Sequence, residues 1–80
     1  MQRAEIESEI IRIVADSRGL DVTGITGDTR LDTLEIESLD VVVIVHEIED
    51  RWSFEVPNDA LNELQTVGDI VQAVIEKLDV

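Results

Sequence analysis

Ser38, His46 and several aspartates supply the residue types of a Ser-His-Asp triad. Geometry rules the triad out. If both lie on one helix, the eight positions between Ser38 and His46 amount to about 12 Å of rise, and the chain holds no second histidine. Nineteen acidic residues in 80 make carboxylate pairs expected by chance, so they do not single out a glycosidase-type acid and base. The four glycines have neither phosphate-loop nor dinucleotide spacing. Around Asp21 and Asp28 the alternating ligands and closing glutamate of a calcium loop are missing. With no cysteine and one histidine, a thiol nucleophile or a zinc or iron site of sulfur and imidazole ligands is not expected. His46 fits an ordinary, partly exposed helix position. Ser38 is the notable hydroxyl, because it sits where a long irregular stretch gives way to a helical pattern, between Glu37 and Leu39-Asp40. A serine there can serve as an N-cap, its oxygen accepting from a free backbone N–H. Alternatively, the hydroxyl is presented to solvent for modification; a phosphate diester at a helix N-terminus is favoured by the dipole and the free amides.

Which elements would position that hydroxyl? Ile6, Ile10, Ile13 and Val14 form one stripe of an amphipathic helix over Arg3 to Ser17, with Gly19 as its stop. From Leu20 to Glu37 turn formers dominate, and Val22, Ile25, Leu31, Leu34 and Ile36 are scattered among them. A connection this long packs through its own side chains or is functional. From Ser38 to Trp52, the run Val41-Val42-Val43-Ile44-Val45 favours a strand by local propensity. Leu39, Val42, Val45, Ile48 and Trp52 recur at near-helical spacing, and nothing else in the chain could pair with a strand. A helix is therefore expected, with Val42, Val45 and Ile48 lining the bundle. Pro57 biases Val56 to an extended conformation, and Asn58 or Asp59 can cap a short helix through Leu61 and Leu64. Thr66 can cap a last helix with Asp69 three residues on, and Val67, Ile70, Val71, Val74 and Leu78 form its buried stripe. The sum is an all-α bundle of three main helices plus one short one, with a long loop between the first two.

Composition narrows the function class. Eighty residues hold one modest core and few pocket walls, which favours a binding or carrier module over a catalyst. The net charge of −13 repels a phosphate backbone and suits basic protein patches. No apolar run approaches the roughly 20 residues of a membrane span, and Met1 to Arg12 lacks the apolar stretch of a secretory signal. The expectation is a single cytoplasmic domain over residues 1–80, monomeric and binding no nucleic acid.

The segment Thr29-Arg30-Leu31-Asp32-Thr33-Leu34-Glu35-Ile36-Glu37-Ser38-Leu39-Asp40 resembles the attachment site of acyl carrier proteins. The likeness continues through Ile48-Glu49-Asp50-Arg51-Trp52, through Phe54-Glu55-Val56-Pro57 and through Thr66-Val67-Gly68-Asp69-Ile70. It spans essentially the whole chain, and its strength lies in the joint spacing of these pieces. The resemblance implies that Ser38 is esterified with 4′-phosphopantetheine, taken from coenzyme A by a phosphopantetheinyl transferase. The arm's thiol then carries acyl groups as thioesters to partner enzymes with basic docking patches, so the missing cysteine arrives with the cofactor. By position, Glu37, Asp40, Glu49 and Asp50 carry over as docking acids and Leu39 as the apolar contact beside the arm. There are departures from the family pattern. Glu37 replaces the usual aspartate, and its longer side chain makes it the poorer cap. Glu35 replaces a customary glycine. Val43 and His46 stand where bulk fatty-acid carriers show an acidic and an apolar residue. These point to a carrier for a specialised lipid or secondary-metabolite pathway. The alternatives are an aminoacyl or peptidyl carrier, which uses the same serine, or an acidic helical adaptor that carries nothing.

Overall fold

The computed structural model describes residues 2–78. Its order is α1 (Arg3–Arg18), one-turn 3₁₀ segments at Val22–Gly24 and Asp32–Leu34, α2 (Ser38–Trp52), α3 (Asn58–Leu61) and α4 (Val67–Leu78). Among the described residues no strand forms. The valine-rich run lies inside α2, because burial against neighbouring helices outweighs the weak β preference of its residues.

The first helix is the hub. It buries Ile6, Ile10, Ile13, Val14 and Ala15 and packs against both α2 and α4. Gly19 ends it in the left-handed conformation (φ 65°), and the Leu20 N–H closes back on the Ala15 carbonyl at 2.8 Å. The inward face of α2 keeps Val45 and Ile48 of the expected lining but not Val42. Val41, Ile44, Val45 and Ile48 are buried, Trp52 is half-buried, and Leu39 is 80% exposed. The reason is angular. Each three-residue step rotates a position by about 60° backwards around the helix, so Leu39, Val42, Val45 and Ile48 fan over half its circumference. Val41, Ile44, Val45 and Ile48, by contrast, stay within one face. Val42 and Val43 are consequently at the surface.

The long connection is anchored at both levels. Ile25, Leu31 and Ile36 are buried in the common core, while Val22 is exposed. Its backbone pairs with the start of α4. Leu31 N–H donates to the Gln65 carbonyl at 2.9 Å, Val67 N–H to Thr29 at 3.0 Å and Gly68 N–H to Gly27 at 2.8 Å. Gly68 is required by this approach, since a Cβ there would lie 2.8 Å from the Gly27 carbonyl oxygen.

Two caps differ in outcome. Asp69 Oδ2 accepts from Thr66 N–H at 3.0 Å, and Asp69 N–H donates to Thr66 Oγ1 at 3.1 Å, the reciprocal box expected at the start of α4. At α3 the N-cap position is Pro57, neither Asn58 nor Asp59, and the helix stops at Leu61, short of Leu64. Ile75 joins the buried face of α4, while Leu78 is half-buried.

Candidate functional site at the start of α2

Ser38 is the first helical residue of α2, and Glu37 occupies the N-cap position. The capping role open to Ser38 is thus excluded, and its side chain is exposed. The helix start is closed by a neighbouring acid: Asp40 Oδ2 accepts from the Glu37 N–H at 3.1 Å. The short N3 carboxylate reaches back to that amide, and the Glu37 side chain turns toward the Asp40 N–H, so the two acids form a reciprocal box at the start of α2. Immediately upstream, Glu35 holds a left-handed backbone (φ 60°), in the place where the resemblance expects glycine.

Beside Ser38 opens a cleft of about 630 Å³. Leu31, Ile36, Val41, Val42, Leu61 and Leu64 make its apolar walls, and Arg30, Asp32, Glu37, Asn62 and Gln65 its polar ones. Arg30 is engaged by Asp32 through two hydrogen bonds of 3.1 Å, from Nε and Nη2. Arg30's hydrogen bond holds the Asp32 carboxyl below the usual carboxylate range, and Asp32 in turn raises the guanidinium further.

The other acids expected at the surface of α2 have different surroundings. Glu37 and Asp50 are exposed, while Asp40 and Glu49 are half-buried. Glu49 Oε2 accepts from the Val56 N–H at 2.7 Å, tying the α2–α3 connection to α2. Asp40 also faces Arg18 at 3.9 Å, and Arg18 reaches Glu35 at the same distance. His46 is exposed on the outer face of α2, out of reach of Ser38. Sequence periodicity did not single out Arg18 or the far wall of the cleft (Leu61, Leu64, Gln65). They meet Ser38's surroundings only through tertiary packing, and no local spacing encodes that.

An exposed primary hydroxyl at a helix N-terminus, opening onto a cleft that is part apolar and part polar, fits a phosphodiester-linked arm with an amide-rich, thiol-ended chain. Comparison with known proteins decides the family. The family model described as "Phosphopantetheine attachment site" matches residues 8–74. The chain belongs to the acyl carrier protein family. It is 34% identical over 76 residues to the acyl carrier protein of Tropheryma whipplei strain Twist, covering 94% of this chain and 93% of that one. It is 41% identical over 76 residues to that of Rhodococcus erythropolis, covering 94% and 82% respectively. The fold matches the crystal structure of an acyl carrier protein from Thermotoga maritima with a TM-score of 0.86, at 23% identity, over 99% of this chain and 93% of that one. As a family member the protein is a carrier, not an enzyme, and its cofactor is covalently attached 4′-phosphopantetheine. Acyl carrier proteins are handled by separate enzymes, and no helix among the described residues is long and apolar enough to cross a membrane.

Proposed function

We propose that Ser38 carries the arm, and that the protein, as one cytoplasmic, monomeric carrier domain over residues 1–80, serves a specialised lipid or secondary-metabolite pathway. One observation carries the attachment reading: the Ser38 hydroxyl is exposed at the first turn of α2, beside the cleft. When bound, the cofactor supplies the thiol on which acyl groups are held. The chain's own residues do the rest. The first-turn amides of α2 and its dipole favour the phosphodiester anion. The apolar walls of the cleft stabilise buried methylenes by about 0.8 kcal/mol each, before any cost of opening the bundle. A partner that extracts the cargo must therefore favour the extruded state by a comparable total.

Docking falls to the surface around the serine. Leu39 is the apolar contact, and Glu37, Asp40, Glu49 and Asp50 are the acids that meet basic patches on a phosphopantetheinyl transferase and on acyl-loading and acyl-using enzymes. The exposure of Leu39, Glu37 and Asp50 supports this. Asp40 and Glu49 have one oxygen each committed to a backbone amide and the other oxygen left for a partner. The specialised role rests on the middle of that face, where Val43 is 57% exposed and His46 is exposed, so its charge density falls between Asp40 and Glu47. Loaded protein should turn over at least about tenfold more slowly with enzymes of bulk fatty-acid synthesis than an acidic-faced carrier does. Comparable rates would contradict the specialised role and leave the attachment reading intact.

A further inference from the structure

Six cationic side chains face nineteen acids in this chain, and two of them lie near Ser38: Arg30 in the cleft wall, held by Asp32, and Arg18 at the edge of the surface. Arg18, in the last turn of α1, places Nη1 3.9 Å from Asp40 Oδ2 and Nη2 3.9 Å from Glu35 Oε2. One guanidinium thus spans a carboxylate upstream of the serine, Glu35, and one downstream of it, Asp40. Its geometry is loose, and the pair is accessible: the side chains of Arg18, Glu35 and Asp40 are 39%, 85% and 28% exposed. An ion pair of this length and exposure is weak and easily exchanged. It is therefore not a fastening for the fold, and α1 is already held by its buried isoleucines. A second observation bears on the same pair. Glu35 stands in a left-handed conformation that glycine would adopt without strain, so backbone strain is carried at a residue whose charged end faces Arg18.

We propose that Arg18 is a positioning residue for partner docking, an internal counterion that shields Asp40 and Glu35 until a basic side chain of a partner displaces it. The inference rests on the Ser38 reading for its biological meaning, although the electrostatics stand without it. A cation already seated between the docking acid Asp40 and its neighbour Glu35 lowers the local negative potential and must be exchanged during encounter. It thereby sets how basic a partner has to be. Partners with a single weak cation at this edge are disfavoured, and those presenting a strong guanidinium are selected.

The test compares apo wild type with Arg18→Gln and Arg18→Lys in phosphopantetheinyl transfer from coenzyme A at low salt. Arg18→Gln should lower KM for the carrier by about two- to fivefold, the range of one exposed ion pair, with kcat moving less than KM. Arg18→Lys should keep KM close to wild type. A purely structural role for Arg18 gives the opposite sign, a higher KM with a lower melting temperature, and that result or an unchanged KM overturns the proposal. A second measurement does not depend on Ser38. NMR titration with a tetra-arginine amide peptide should yield tighter binding to Arg18→Gln, with the extra shifts at Glu35 and Asp40. Equal affinity for the two proteins overturns it. A wild-type protein that takes no arm refutes the Ser38 reading, while the peptide titration still decides the role of Arg18.

Discussion

At Ser38, Glu37 and Asp40 the roles are divided by one position in the register. Ser38 has its hydroxyl at the surface because Glu37 holds the N-cap place and Asp40 satisfies the Glu37 amide. The sequence revealed the neighbourhood but not this division: a serine before a helical pattern fits Ncap and N1 equally well, and one residue of register decides between them. Glu35 was legible as a departure from the family's glycine, and its φ of 60° explains why glycine is customary there. A non-glycine residue in that conformation costs about 1–2 kcal/mol. Glycine returns part of that gain through the greater freedom of the unfolded chain, about 0.4–1 kcal/mol. Glu35→Gly should therefore stabilise the fold by about 0.5–1 kcal/mol in urea denaturation. A destabilised variant would mean that the glutamate's side chain contributes more than its backbone strain costs.

Among the elements, α1 and α4 were readable nearly to their ends, because compact i, i+3, i+4 stripes and recognisable stop and cap residues agree with each other. The helical state of α2 was readable too, but its buried face was not. Every position from Val41 to Val45 is apolar, so only the neighbours α1 and the loop select Val41, Ile44 and Val45 over Val42 and Val43. The short α3 was expected in the right place, but it ends short of Leu64 and its cap differs, since Pro57 supplies a preset extended-to-helix entry without a side-chain oxygen. The start of α4 yields a pH prediction. The backbone N–H of Gln65, followed by that of Thr66 and the Thr66 hydroxyl, holds the Asp69 carboxyl below the usual carboxylate range. A carboxyl with a lower pKa in the folded state contributes stability above its unfolded value, near 4, which is lost as pH falls through the folded value. Asp69→Ala should thus cost about 1 kcal/mol at pH 7, measured by denaturant unfolding. The gap from wild type should narrow below about pH 4. A gap that stays constant down to pH 2 would remove the charge of Asp69 from the cap's contribution.

Over the molecule as a whole, a net charge of −13 is spread on a bundle whose Cα radius of gyration is 11.3 Å. Self-repulsion at that density opposes the compact state, and only four ion pairs among the described residues offset it. Magnesium chloride or added monovalent salt at constant pH should raise the melting temperature, by screening acids that have no cationic neighbour. A melting temperature insensitive to salt would show the acids to be compensated already. The same charge governs what the carrier can approach, and the proposed attachment at Ser38 would set the cargo at the acidic edge of this surface. Intact mass after incubation with coenzyme A and a phosphopantetheinyl transferase tests that most directly. Wild type should gain about 340 Da, the mass of one arm fixed by the cofactor's formula, and Ser38→Ala should gain nothing while keeping its helical circular dichroism. A folded Ser38→Ala protein that still takes up the arm, or a wild type that never does, would contradict the account.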